Sequence, residues 1–178
     1  MYIDIEYTPN PNARKFILEK DLLSTGSKQF NSADDAKNDI LATELFKIDG
    51  VESVFYFSNF ITISKAQNDV NWRFVEQEVK NVINENLSYF DKQEIGNLYN
   101  KDDENLRKIE EILNETVRPG LAMDGGGLEV ISLSENLTLS VKYHGACGSC
   151  PSSTYATLNA ISNILKETVN PDIEVVAV

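Results

Sequence analysis

The two cysteines of the chain, Cys147 and Cys150, are separated by two residues in the stretch Tyr143–Ser153. Two thiols at this spacing can bind one soft metal centre together, or they can close on each other as a disulfide. C-x-x-C motifs occur in zinc ribbons, in iron–sulfur sites and in thiol–disulfide enzymes, so the spacing alone does not decide between these chemistries. What these two thiols bind or react with is therefore the main functional question that the sequence poses.

A predicted strand leads into this motif, and a predicted helix leads out of it. Residues 137–144 alternate between two faces, with Leu137, Leu139, Val141 and Tyr143 on one and Thr138, Ser140, Lys142 and His144 on the other. Pro151 suits the first turn of a helix, which makes Cys150 the expected N-cap residue and places Cys147 just outside it. Helix N-termini carry partial positive charge and free amide groups, so they favour thiolate, the form that binds iron or zinc.

The residues around the cysteines decide what can approach them. We expect the loop to lie at the surface, and its small side chains leave room for a bulky inorganic cluster or a partner: Gly145, Ala146, Gly148 and Ser149. His144, the single histidine, falls on the polar face of the strand, so we expect an exposed side chain rather than a ligand. The Asp124–Gly127 run lacks the Lys-Ser/Thr of a phosphate-binding loop. We expect it to be a tight helix-to-strand connection capped by Asp124.

Length and composition restrict the class of protein. The chain has 178 residues, 42% of them hydrophobic, and a formal net charge of −12. No apolar run approaches the roughly 18 residues of a membrane span. Nucleic-acid binding requires basic patches, so the acidic composition argues against a nucleic-acid-binding protein. No targeting segment is visible, so we expect a reducing compartment, either the bacterial cytoplasm or, for a processed form, the mitochondrial matrix.

The first half of the chain predicts a small α+β domain. Strands are expected at 2–7, 14–19, 28–30, 51–57 and 60–64. A stiff turn, Thr8–Asn12, joins the first two strands, and Ser58-Asn59 joins the last two. One helix is expected from the N-cap Ser32 to Gly50, and a second helix begins at Asn71. The core is predicted to include the aromatic residues at positions 55, 56, 57, 60 and 72.

The second half predicts another α+β domain. The helix Asp103–Arg118 is expected to stop at Pro119-Gly120. Strands are expected at 128–133, 137–144 and 173–178. The helix after the cysteines has an apolar stripe of Tyr155, Leu158, Ile161, Leu165 and Val169. Each half is then a short, mostly antiparallel sheet with helices packed on one face. Residues 84–103 are rich in polar and charged side chains, and residues 100–104 show no hydrophobic periodicity. Residues 91–102 are therefore predicted to link domains 1–90 and 103–178.

Two motifs resemble a known family. Arg118–Gly126, which reads Arg-Pro-Gly-Leu-Ala-Met-Asp-Gly-Gly, is followed by Gly145–Ser153 with its two cysteines, and this pattern resembles the C-terminal domain of NifU-like (Nfu) iron–sulfur carrier proteins. Thr8–Phe16 resembles the separate N-terminal domain that many Nfu proteins carry. Together the resemblances cover nearly the whole chain and are far more specific than C-x-x-C alone. The family often has Asp-Gly-Gly-Asp where this chain has Asp124–Gly127.

The resemblance implies a carrier rather than an enzyme. Its cargo is a 4Fe–4S cluster, with 2Fe–2S as the alternative, received from the cluster assembly machinery and delivered to apo iron–sulfur proteins. A 4Fe–4S cluster commonly takes four thiolates, and one chain has two. Two chains are therefore expected to share one cluster as a homodimer, with Cys147 and Cys150 of each as ligands. A cluster at a subunit junction can leave when the junction opens, which suits transfer.

Three other interpretations of the cysteines are open. A thiol–disulfide enzyme uses such a pair as nucleophile and resolving thiol. Against it, Gly145-Ala146 lacks the aromatic residue typical of thioredoxin-like sites, and the strand pair before the motif shows no evident βαβ unit. Four thiolates from two chains suit tetrahedral zinc equally well. In the third interpretation the domain is a protein-binding module whose thiols are incidental.

Overall fold

The chain consists of two compact units, residues 1–97 and residues 98–178. A computed structural model describes residues 2–23, 26–66, 70–86, 104–148 and 151–178. Each unit combines one β-sheet with helices, so the predicted α+β class is confirmed. The predicted linker 91–102 lies outside the described residues. Among the described helices, none combines the length and the hydropathy needed to cross a lipid bilayer.

The first unit is built on a five-stranded antiparallel sheet. Its strands are β1 (Ile3–Tyr7), β2 (Ala13–Leu18), β3 (Ser27–Phe30), β4 (Val51–Phe57) and β5 (Phe60–Lys65). They lie in the order β1-β2-β5-β4-β3. Ser58 and Asn59 form the tight turn between β4 and β5, and Ser58 takes a φ of 48°. All five strands occur within a residue or two of their predicted positions.

Two helices, α1 (Ile40–Leu45) and α2 (Trp72–Asn86), pack against this sheet through one buried cluster. The predicted helix start at Ser32 is wrong. The Ser32 hydroxyl accepts a hydrogen bond from the Asp35 amide at 3.2 Å and so closes a turn. The helix begins after Asp39, whose buried carboxylate accepts a hydrogen bond from the Ala42 amide at 2.9 Å and caps the first turn.

The aromatic residues of the first unit are mostly core, as predicted. Phe55, Tyr56 and Phe60 are buried, and Phe57 and Trp72 are partly buried. The Trp72 indole N–H donates to the Pro11 carbonyl at 3.0 Å, and the Arg14 guanidinium lies 4.7 Å from the centre of a Trp72 ring. The Thr8–Asn12 turn is closed by its own backbone, since the Ala13 amide donates to the Asn10 carbonyl at 3.0 Å. Trp72 therefore fastens α2 to this turn.

The second unit has a three-stranded sheet in the order β6-β7-β8. Its elements are α3 (Glu104–Thr116), α4 (Arg118–Met123), β6 (Gly126–Leu133), β7 (Thr138–Gly145), α5 (Pro151–Thr168) and β8 (Glu174–Ala177). β6 is antiparallel to β7, and β8 is parallel to β7. The expectation of no βαβ unit is therefore wrong, because α5 is the crossover between two parallel strands.

Two further predictions in this unit need correction. Pro119 and Gly120 do not end the helical region, because α4 begins at Arg118 and contains both residues. Proline fits there because the amides of a first helical turn need no partner within the helix. Tyr155 is 74% exposed and does not belong to the apolar stripe of α5. Ile161 and Leu165 do, and they pack with α3 and β7 in one core.

Candidate functional site

Cys147 lies two residues beyond the end of β7 and is buried, with 4% of its surface exposed. It belongs to the hydrophobic core of the second unit, together with Tyr143 and Leu128. The expectation of a surface position is therefore wrong for Cys147, because the chain turns back over the sheet directly after the strand. The Gly148 amide donates to the Gly145 carbonyl at 3.1 Å and closes this turn. Cys150 lies outside the described residues, and its role stays a prediction.

Two glycines with positive φ shape the backbone around Cys147. Gly125 has a φ of 77° and Gly145 a φ of 61°, conformations that side-chain-bearing residues adopt only with strain. The Ala146 amide donates to the Gly125 carbonyl at 3.1 Å, which ties the cysteine loop to the start of β6. The glycine run and the cysteine motif, which stand about twenty residues apart in sequence, therefore form one local structure.

Gly126 is the residue against which Cys147 packs. It pairs with Gly145 across the sheet, so it belongs to β6 and not only to a helix-to-strand connection. A Cβ at position 126 would overlap the Cys147 sulfur and would lie 2.8 Å from both the Cys147 Cβ and the His144 carbonyl oxygen. Such distances are not tolerated without movement, so the bare glycine backbone sets the position of the thiol.

Arg118 holds the start of β6 against the helices. Its Nε donates to the Leu128 carbonyl at 3.0 Å, and its guanidinium forms an ion pair with Glu110 and a 2.7 Å hydrogen bond with the Asn114 side chain. Asp124 ends α4 as its C-cap residue, where its backbone amide donates to the carbonyls of Ala122 and Gly120. Arg118 belongs to the motif that carries the family resemblance, but its contacts across ten residues of sequence are visible only in the fold.

Tyr143 lies four residues before Cys147 and in the same core. Its hydroxyl oxygen is buried and has no hydrogen-bond partner among the described residues. Burial, and secondarily the charge on Cys147, raises the pKa of Tyr143 to about 12. The hydroxyl therefore keeps its proton at neutral pH.

His144 is buried, with 6% of its surface exposed, so the prediction of an exposed histidine is wrong. Its Nε2 and a Glu129 carboxylate oxygen are 2.9 Å apart. The alternation of polar and apolar residues assigned the His144 side chain to the correct face of β7. It could not show that this face is covered at position 144. Burial lowers the pKa of His144, the Glu129 carboxylate partly opposes that shift, and the Lys142 charge adds to it.

We expect the stability of the cluster-free protein to fall as the pH drops through the range in which His144 titrates. Because the pKa of His144 is below its unfolded value of about 6.5, the unfolded chain binds more protons than the folded one near that pH. The stabilisation that comes from keeping His144 neutral is complete above the unfolded-state pKa, and it decreases as the pH falls towards the folded-state pKa. Urea unfolding between about pH 7.5 and pH 5.5 should show this decrease.

His144→Gln is the matched control, because an amide can still donate to Glu129 but does not titrate. The decrease in unfolding free energy over this pH range should be smaller in the variant than in the wild type. Equal decreases would show that the imidazole does not titrate differently in the folded and unfolded states.

These residues together hold the Cys147 sulfur against bare glycine backbone. Glycines at 126, 145 and 148 surround Cys147, and α5 starts at Pro151, so a helix N-terminus directly follows the motif. Its partial positive charge and free amides favour thiolates beside it. Within the described residues, no group of three or more His, Cys, Asp or Glu side chains is placed to hold a metal ion.

Two family profiles match the chain in the order of its two units. The profile described as "Scaffold protein Nfu/NifU N terminal" matches residues 3–89, and the profile "NifU-like domain" matches residues 109–176. A solution NMR structure of a NifU-like protein from Saccharomyces cerevisiae matches with 25% identity and a TM-score of 0.46, and the match covers 56% of this chain and 87% of that one.

Curated proteins match over almost the whole chain. The chain is 33% identical to "NFU1 iron-sulfur cluster scaffold homolog, mitochondrial" of Homo sapiens, over 98% of this chain and 70% of that protein. It is 34% identical to a NifU-like protein of Schizosaccharomyces pombe, over 98% and 71%. It is 31% identical to "NifU-like protein 5, mitochondrial" of Arabidopsis thaliana, over 96% and 65%. The chain belongs to the Nfu family of NifU-like scaffold proteins, as its two motifs predicted.

Proposed function

We propose that the protein is an iron–sulfur cluster scaffold and carrier, not an enzyme, which binds its cargo through Cys147 and Cys150. The observation that carries this proposal is the placement of Cys147. Cys147 follows the end of β7 and precedes the N-terminus of α5. Its sulfur packs on the bare backbone of Gly126. Relatives with 33% identity over nearly the whole chain are named iron–sulfur cluster scaffolds, and this supports the same role here.

The proposed cargo is a 4Fe–4S cluster shared by two chains. Such a cluster commonly takes four thiolates, and each chain supplies two. A 2Fe–2S cluster with four cysteine ligands has the same requirement and is the alternative. In both cases the pair Cys147 and Cys150 from one chain faces the same pair from a second copy, and the cluster lies at the junction.

The proposed transfer is ligand exchange. Each step breaks one bond between a cluster iron and a carrier cysteine sulfur, and it forms one bond between that iron and a cysteine sulfur of the apo-protein. The client thiol gives up a proton and the released carrier thiolate can take one up, so charge is balanced. No electron moves. Loading from the upstream assembly machinery follows the same exchange in the opposite direction.

The two domains are proposed to divide this work. We place the first at 1–90, the linker at 91–102 and the cluster-binding domain at 103–178, and the family matches at 3–89 and 109–176 support this division. The first domain is proposed to select partners or to orient the cluster domain. A reducing compartment keeps the thiols available. The bacterial cytoplasm and the mitochondrial matrix both meet that need, and relatives from human and Arabidopsis are named mitochondrial.

The test of the proposed function is oxygen-free reconstitution with iron and sulfide. The expected result is a coloured protein with the absorption of an iron–sulfur cluster, about four iron and four sulfide per two chains, and handover of the cluster to an apo-enzyme that regains activity. A protein that takes up zinc but no iron and sulfide would instead support a zinc-bridged dimer. Dithiol-dependent reduction of insulin by a metal-free monomer would support a thiol–disulfide enzyme.

Loading should also change the mass of the particle. If one cluster needs thiolates from two chains, then the loaded protein is a dimer, and removal of the cluster with a chelator should restore the mass of the empty form. Light scattering coupled to size exclusion measures both states. Equal masses for the empty and the loaded protein would count against a cluster-bridged dimer.

A further inference from the structure

The buried hydroxyl of Tyr143 is not explained by the described part of the chain. The great majority of buried polar side-chain atoms in folded proteins are hydrogen-bonded, and an exception calls for a reason. A phenylalanine would fill the same space without burying an oxygen that lacks a partner. Tyr143 is 9% exposed, and its hydroxyl has no partner among the described residues. A hydrogen-bond acceptor that comes within reach only when the protein binds its cluster would explain why the hydroxyl is present.

The fold brings Tyr143 and Cys147 into one hydrophobic core. Gly145, with its positive φ, turns the chain at the end of β7, and the loop then packs back on the strand. The closeness of that packing is visible at Gly148, where an added Cβ would lie 3.0 Å from the Tyr143 carbonyl oxygen. Tyr143 and Cys147 then share the same hydrophobic cluster.

The two groups have complementary chemistry. The pKa of Tyr143 is raised to about 12, so the hydroxyl is a donor throughout the physiological range. A cysteine sulfur bound to iron is a thiolate and accepts hydrogen bonds. A hydroxyl in an apolar core forms a stronger hydrogen bond with a charged sulfur than with a neutral acceptor.

We propose that Tyr143 is a positioning residue for the cluster, whose hydroxyl donates a hydrogen bond to the Cys147 sulfur in the loaded protein. This inference rests on the proposed function, because it requires that Cys147 binds the cluster. Hydrogen bonds to cluster sulfurs stabilise the additional negative charge of the reduced state, so they raise the reduction potential. They also hold the ligand in place and slow its exchange. Tyr143 therefore tunes both the potential of the cluster and the rate at which the carrier releases it.

Tyr143→Phe tests this inference, with Tyr155→Phe as the control on an exposed tyrosine of α5. After reconstitution with iron and sulfide, the Tyr143→Phe protein should bind as much iron as the wild type. It should lose the cluster to a chelator about three- to tenfold faster, the effect expected for one hydrogen bond. Its reduction potential should be more negative. The control should match the wild type in both measurements.

The stability of the cluster-free proteins distinguishes this proposal from a purely structural role. A structural role predicts that Tyr143→Phe destabilises the empty protein, and the proposal predicts that it does not. Empty Tyr143→Phe should be at least as stable to urea as empty wild type, because the variant no longer buries a hydroxyl without a partner. A variant that is less stable when empty would overturn the inference. Equal release rates and equal potentials in loaded wild type and loaded Tyr143→Phe would overturn it as well, and the proposed function would stand. A wild type that binds no iron and sulfide would overturn both.

Discussion

Replacement of Cys147 by serine should abolish cluster binding. A serine hydroxyl is a poor ligand for iron in a cluster whose other ligands are thiolates, and each chain has only two thiols to contribute. Iron and sulfide measured after oxygen-free reconstitution should fall to the level of a protein-free sample, and the visible absorption of the cluster should be absent. Cys150→Ser is expected to give the same loss.

Burial of Cys147 changes the expected stability of these variants. Because Cys147 is 4% exposed, serine places a hydroxyl in the core, and we expect a loss of about 1–3 kcal/mol in the unfolding free energy. Cys147→Ala is the matched control, since alanine removes the ligand without burying a polar atom. It should also bind no cluster, and its circular dichroism should match that of the wild type. A folded alanine variant with full iron and sulfide would contradict the assignment of Cys147 as a ligand.

The sequence predicted the strand that leads to the cysteines because that strand has a regular pattern. Leu139, Val141 and Tyr143 alternate with polar residues, and all three are buried in the structure. Alternation reports the face of a strand, but it does not report what covers that face. This is why the burial of His144 was missed. Its pairing with Glu129 joins residues fifteen positions apart, and alternation within one strand does not report such a contact.

Other differences arose where tertiary contacts override local signals. Ser32 has the composition of an N-cap, but the buried carboxylate of Asp39 caps the helix instead. Pro119 and Gly120 have the composition of a helix stop, but α4 contains them, and Arg118 links its start to β6. The parallel pairing of β8 with β7 depends on the path of α5 over the sheet, which no local pattern specifies. Gly126 was assigned to a connection because its contact with Cys147 exists only after β6 and β7 have paired.

Gly126→Ala should lower both the stability of the protein and its retention of the cluster. The added Cβ would overlap the Cys147 sulfur and crowd the His144 carbonyl, so either β6 or the cysteine loop must move. Overpacking of this kind typically costs about 1–3 kcal/mol. Gly126 does not have a positive φ, so the expected effect comes from the contact and not from backbone strain. Urea unfolding of the empty protein and the rate of cluster loss to a chelator measure the two effects.

Gly120→Ala is the control for this substitution. Gly120 lies in α4, and an added Cβ there would meet no atom within 4 Å. Alanine in a helix is favoured over glycine by about 0.5–1 kcal/mol, so this variant should be as stable as the wild type or more stable, with unchanged cluster retention. Equal behaviour of Gly126→Ala and Gly120→Ala would show that the thiol does not depend on the glycine backbone beneath it.

A double-mutant cycle separates the sulfur from the rest of the contact. In the Cys147→Ala background, Gly126→Ala meets a Cβ and a carbonyl oxygen but no sulfur, so it should cost less stability than in the wild type. Because residues in direct contact show non-additive effects, the difference between the two costs gives the coupling of the thiol to Gly126. A coupling of zero would mean that the alanine is accommodated by movement of β6, and that the Cys147 sulfur keeps its place. A substantial coupling would mean that the bare backbone at position 126 helps to determine where the cluster ligand stands.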